Sequence, residues 1–130
     1  MPRKVKLILN PMADMGHAWT IARDLQPIVN QYGNADWSGT VYPTHAAELA
    51  QQAGELGYDL VVSVGGDGTV HEVINGLMKV PARKRPTLGI VPVGSGNDFA
   101  HAVKVPLDPP QALRFALESK SKPIDLGFLT

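Results

Sequence analysis

Two kinds of apolar pattern alternate along the chain. Short runs rich in β-branched residues are followed by longer stretches whose apolar positions recur every three or four residues. Val5 to Leu9, interrupted only by Lys6 and stopped by Asn10-Pro11, predicts a first strand. From His17 to about Tyr32, the residues Ile21, Leu25, Ile28 and Val29 recur at helical spacing. Pro27 inside that stretch predicts a kink or an early end. Trp37 to Tyr42 predicts a second strand. Thr44 then precedes HAAELAQQAGEL, a predicted helix with Thr44 as N-cap and Gly57 as its stop.

Leu60 to Val64 (LVVSV) is almost wholly apolar, as a strand buried on both faces should be. Gly65-Gly66-Asp67-Gly68-Thr69 follows it, and a helix through Val70, Val73, Ile74, Leu77 and Met78 follows that. Pro81 to Pro86 reads as a basic loop and Leu88 to Val91 as a fourth strand ending in PVGSGND. Phe99 to Val103 and Gln111 to Leu117 predict helices, and Ile124 to Leu129 a last strand. Strand and helix therefore alternate throughout, which predicts an α/β fold with a mostly parallel sheet flanked by helices. No repeat or linker divides the 130 residues, so one domain is expected.

Charge and composition narrow the partners. Lys plus Arg number 12 and Asp plus Glu number 12, a neutral balance that gives no reason to expect a nucleic acid partner. The chain has no cysteine, which excludes a disulfide scaffold, a thiol nucleophile and a cysteine-ligated zinc. MPRKVKLILNP is too short in its apolar part for a secretory signal, and no run reaches the roughly 18–20 apolar residues that span a bilayer. A compact cytoplasmic domain is expected. The four histidines lack metal-ligand spacing and read as surface or loop residues.

Glycine and proline, 13 and 11 residues, gather just after the predicted strands. Three such loops stand out: Asn10 to Gly16, Gly65 to Thr69, and Pro92 to Asn97. In an open α/β sheet, ligands sit outside the carboxyl ends of the strands. A glycine loop feeding a helix lets backbone N–H groups approach an anion closely. Gly65, Gly66, Gly68, Gly94 and Gly96 therefore point to a phosphate-bearing ligand, and three converging loops suggest a nucleotide. No Walker pattern occurs, and the dinucleotide fingerprint fails at His71 and at Phe99. Asp67 is the unusual residue: a carboxylate between glycines repels a phosphate unless it holds a magnesium ion, often through water, or orients an attacking hydroxyl. A turn aspartate bonding its own backbone is the plainer alternative. Lys79, Arg83, Lys84 and Arg85 form a basic run that could attract anionic headgroups or simply be a solvated loop.

VVSVGGDGTVHEVINGL, followed by IVPVGSGNDFA, resembles the catalytic domain of the diacylglycerol kinase family, which includes bacterial lipid kinases and sphingosine and ceramide kinases. Asn10-Pro11 followed by Gly16, and Thr44 ahead of its helix, also match. The resemblance covers essentially the whole chain. It implies the α/β nucleotide-binding lobe that diacylglycerol kinases share with NAD kinases and phosphofructokinases. It also implies that Asn10, Pro11, Gly16, Thr44, Gly66 to Thr69, Glu72, Ser95 and Asn97 line an ATP site, with Asp67 beside the transferred phosphate and magnesium. The first loop departs from the family's N-P-x-[SA]-G-x-G: Asp14 stands at a glycine position, and His17 where Lys or Arg is frequent.

The same resemblance implies a second, β-rich lobe that supplies lipid contacts and a general base. The chain stops at Pro123-Ile124-Asp125-Leu126-Gly127, where the family crosses into that lobe. Residues 1–130 are therefore expected to be the ATP-binding lobe of a lipid kinase, peripheral to a membrane and weakly active or inactive alone, with an exposed face prone to self-association. The alternative is a stand-alone nucleotide-binding or regulatory module without catalysis.

Overall fold

The computed structural model describes residues 3–94 and 98–118. Ser95, Gly96, Asn97 and the predicted last strand at Ile124 to Leu129 lie outside the described residues. Nine elements follow in chain order: β1 (Val5–Leu9), α1 (His17–Tyr32), β2 (Ala35–Gly39), α2 (His45–Glu55), β3 (Leu60–Gly65), α3 (Asp67–Met78), β4 (Thr87–Pro92), α4 (Asp98–Ala102) and α5 (Pro109–Glu118). Short turns at Ala13–Gly16 and Ala82–Lys84 interrupt the connections.

The four described strands form one sheet in the order β2-β1-β3-β4, all pairs parallel. This is the architecture that the alternating patterns predict. Central β3 is buried along its whole length, which is why its sequence is apolar at both odd and even positions. Its side chains alternate between two cores. Leu60, Val62 and Val64 join Leu7, Leu9, Leu25, Val29 and Leu113 beneath α1 and α5. Val61 joins Ile8, Ile90, Val70, Ile74 and Leu77 beneath α2 and α3.

Three expectations are corrected. The second strand is Ala35–Gly39, not Trp37 to Tyr42. Its register places Ala35 against Val5 and Gly39 against Leu9, so the strand ends level with β1 and the more polar stretch after it becomes loop. Pro27 does not end α1, which runs through to Tyr32. Leu25, Ile28 and Val29 are buried against the sheet, and that packing offsets the hydrogen bond the proline removes. Arg85 is not a free member of the basic run: its guanidinium donates to the carbonyls of Leu77 and Val80, each at 2.9 Å, and so caps the end of α3. Lys79, Arg83 and Lys84 remain exposed.

The closest helix contact is between α2 and α3. A Cβ added at Gly76 would strike the carbonyl of Ala47, and one at Gly54 would strike Val80. The alanine-rich face of α2 (Ala46, Ala50, Ala53) thus lies against α3 with almost no side-chain spacing.

Candidate functional site

Because every strand runs the same way, the loops after β1, β3 and β4 all emerge at one edge of the sheet. There they enclose a cavity of about 380 Å³ lined by Asn10, Ala13, Asp14, Gly66, Gly68, Thr69, Glu72, Val93 and Gly94. The expected residues Asn10, Gly66, Gly68, Thr69, Glu72 and Gly94 are therefore brought together. Pro11, Gly16, Thr44, Gly65 and Asp67 do not form part of this lining. Ala13, Asp14 and Val93 do; they fall within the expected loops Asn10 to Gly16 and Pro92 to Asn97, although the sequence singles out none of them as a contact.

Backbone bonds explain the convergence. The amide of Asn10 donates to Val64 at 3.2 Å, and that of Val93 to Gly65 at 3.0 Å, so both outer loops are tied to the end of β3. The Asn10 side-chain oxygen accepts the Met12 amide at 3.1 Å, a local turn that folds the first loop back. Gly65 needs its missing side chain: a Cβ there would sit 2.5 Å from the Thr69 hydroxyl oxygen. Gly66 is the N-cap of α3, and its carbonyl accepts from Thr69 and Val70. Helix geometry leaves the first-turn amides of Asp67 and Gly68 without a carbonyl of their own helix, a ready cradle for an anion.

Asp67 points its carboxylate across this edge. Its two oxygens accept the backbone amides of Asp98 at 2.9 Å and Phe99 at 3.2 Å. The carboxylate therefore caps α4 and fastens the loop after β4 to the loop after β3.

The first loop carries unusual backbone. Asp14 and Met15 have φ of 51° and 56°, and Gly16 has 91°. Asp14 thus holds a left-handed conformation at a position where glycine would be unstrained. Its side chain lies against Gly94 and contacts the His17 imidazole at 3.3 Å. With Glu72 it gives the lining two carboxylates, and no cationic side chain stands there among the described residues.

Thr44 precedes α2 as expected, but it does not cap the helix with its side chain. It sits at φ 71°, and its carbonyl accepts from Ala47 and Glu48. The neighbouring turn is held by His45, whose Nδ1 accepts the Val41 amide at 3.0 Å and whose ring stacks on Tyr42. The Tyr42 hydroxyl donates to Glu48.

At the opposite edge of the sheet is an ionic cluster. Lys6 pairs with Asp36 at 2.5 Å, and the Tyr58 hydroxyl donates to Asp36 at 2.8 Å. Burial works against the Asp36 charge, but the bonds from Lys6 and Tyr58 outweigh it and hold that carboxyl below the usual carboxylate range. Burial likewise opposes the Lys6 charge, and Asp36 outweighs it, raising the ammonium above its ordinary value.

Parallel strands, glycine loops gathered at their carboxyl edge and a helix start beside the cavity define an α/β protein with a crevice at the carboxyl ends of its strands. The comparisons give it a family. The model of the diacylglycerol kinase catalytic domain matches residues 4–129. A diacylglycerol kinase of Bacillus subtilis is 32% identical over 130 residues, covering 96% of this chain and 41% of that protein. A Serratia proteamaculans protein named "probable lipid kinase YegS-like" is 49% identical over 82 residues, 63% of this chain and 27% of its own length. A crystal structure of a diacylglycerol kinase from Bacillus anthracis strain Sterne superposes with a TM-score of 0.82 at 32% identity, covering 95% of this chain and 44% of that one. The chain belongs to the diacylglycerol kinase catalytic-domain family, a family of lipid kinases. It spans between about a quarter and two fifths of the curated relatives it matches. Among the described residues, no helix is long and apolar enough to cross a membrane.

Proposed function

We propose that this chain is the ATP-binding catalytic lobe of a lipid kinase that transfers the γ-phosphoryl group of ATP to a lipid hydroxyl, such as that of a diacylglycerol. The observation that carries the reading is the convergence of the loops after β1, β3 and β4 on one cavity, through Asn10, Gly66, Gly68 and Gly94. Gly66 and Gly68 leave room for phosphate oxygens beside the first-turn amides of α3. Asn10, Thr69 and Glu72 offer polar groups around them, and the resemblance adds Thr44, Ser95, Gly96 and Asn97 to the nucleotide contacts.

The donor set suits magnesium, which takes hard oxygen ligands and is usually held by one or two carboxylates together with substrate phosphates and water. Asp14 and Glu72 are the carboxylates that line the cavity, and the resemblance adds Asp67, whose oxygens hold the Asp98 and Phe99 amides at its border. No group of three or more acidic or histidine side chains that could hold a metal by itself occurs among the described residues. The bound ion would neutralise charge on the transferring phosphoryl group. In the reaction, the lipid oxygen attacks the γ-phosphorus in line, the bond to the β-phosphate oxygen breaks, and ADP leaves. The hydroxyl proton passes to a base, which the resemblance assigns to a second lobe. The present chain would orient the phosphates, with Asp67 tying the loop after β3 to the loop after β4.

Calorimetric titration of the folded chain with ATP and magnesium tests the reading. Saturable binding that Gly66→Val abolishes supports it. Absence of binding by a folded chain overturns it.

A further inference from the structure

A second concavity lies on the other side of the first loop, between α1 and edge strand β2, and it stands apart from the glycine-loop cavity. Its volume is about 590 Å³. Trp19, Ala22, Arg23 and Gln26 line it at spacings of three, four and seven residues, one stripe of α1. Leu9 and Trp37 form its floor from β1 and β2. β2 ends the described sheet, so this stripe of α1 overhangs it without a further strand or helix alongside among the described residues.

Polar groups in the groove are largely spent. The Trp37 indole N–H donates to the Gln26 side-chain oxygen at 3.0 Å, and the Gln26 amide donates to Asn30 at 2.7 Å. Trp37 therefore presents ring carbon rather than its N–H. Trp19 is 61% exposed, a large apolar surface left in water. Arg23 is the only charged lining residue, and the ion pairs found among the described residues involve Lys6, Asp36, His17 and Asp14 instead.

We propose that this groove binds the acyl chain of an anionic lipid monomer, with the Arg23 guanidinium meeting its phosphate head. An apolar trough with one cation at its rim, for which no ion pair is found among the described residues, matches an amphiphile of opposite charge. A small inorganic anion would gain nothing from the tryptophan floor, and a zwitterionic lipid would bring a second positive charge against Arg23. Each methylene buried along the trough strengthens binding by about fourfold. The volume falls within the roughly 300–1,000 Å³ of small-molecule sites. The proposal does not rest on the nucleotide reading, because neither α2 nor α3 contributes to this groove.

Calorimetry of the full chain with dodecyl phosphate below its micelle concentration tests it, with dodecylphosphocholine, dodecyltrimethylammonium and inorganic phosphate as comparisons. Dodecyl phosphate is expected to saturate and to bind at least about tenfold more tightly than dodecylphosphocholine, through the charge-assisted contact to Arg23. Arg23→Gln should erase that preference, and Trp19→Ala should weaken binding by about tenfold. Both positions are exposed, so thermal unfolding should confirm that each variant folds as the parent does. Absence of saturable binding by the folded chain overturns the proposal. So does an unchanged preference in Arg23→Gln, or equal binding of inorganic phosphate. Self-association in place of ligand binding, read by sedimentation, would assign the groove to a second copy and overturn it as well.

Discussion

The carboxylate of Asp67 accepts the backbone amide of Asp98 at 2.9 Å, joining positions 31 residues apart. With the Phe99 amide on its other oxygen, Asp67 holds the walls of the glycine-loop cavity together. Asp67→Ala should therefore lower the unfolding free energy by about 1–2 kcal/mol, the usual cost of losing an N-cap. Asp67→Asn keeps one acceptor oxygen and should lose less. Urea unfolding reads both. Unchanged stability together with lost ATP binding would mean that the carboxylate acts on ligand rather than on the loop.

Asp14 combines a left-handed backbone with a negative charge beside the proposed phosphates. Asp14→Gly removes both. ATP and magnesium should then bind roughly two- to fivefold more tightly by calorimetry, the size expected for one exposed charge near a helix start. Weaker binding would show that Asp14 itself holds the nucleotide.

Gly76→Ala should destabilise the fold by about 1–3 kcal/mol in urea unfolding, because the new methyl meets the backbone carbonyl of Ala47 rather than a side chain that can rotate away. Gly68→Ala is the control. Nothing lies within 4 Å of a Cβ there, so stability should hardly change.

Ser63 is fully buried in β3, and its hydroxyl finds no hydrogen-bond partner among the described residues. Its removal forfeits no bond and relieves a desolvated polar group. Ser63→Ala, which removes only the hydroxyl, should equal or exceed the parent in stability by up to about 1 kcal/mol. A loss above about 1 kcal/mol would reveal an unseen partner.

The pH dependence should have an acid limb from Asp36. Its folded carboxyl titrates below the ordinary value, so its contribution is present above the unfolded pKa and is lost as pH falls through the folded one. Asp36 is 56% exposed at its side chain, and solvent screening keeps the effect below about 1 kcal/mol. Asp36→Asn should flatten unfolding free energy against pH below about pH 4 and leave it parallel to the parent at neutral pH.

The alternation of strand and helix, the parallel sheet and the gathering of glycine loops after its strands were legible because they follow from local patterns. The buried run of β3 and the glycine clusters after β1, β3 and β4 are written in contiguous residues. The end of β2 was not legible, since Val41 and Tyr42 are as β-favouring as Trp37. Only the register against Leu9 stops the strand at Gly39. The bonds of Asp67 were hidden for a similar reason: both partners are main-chain amides, and every residue but proline has one. The strain at Thr44 left no signal either, because threonine ordinarily avoids the left-handed region.

The cavity's walls come from the loops after the first, third and fourth strands, while the second strand lies at the far edge of the sheet. Nascent chain ending before β4 has the floor of the crevice but not its far wall. Any ligand of that crevice should then bind only after the loop following β4 has been made and β4 has docked beside β3. On the ribosome it would act as a late-arriving stabiliser, rewarding completion of the sheet rather than guiding its start.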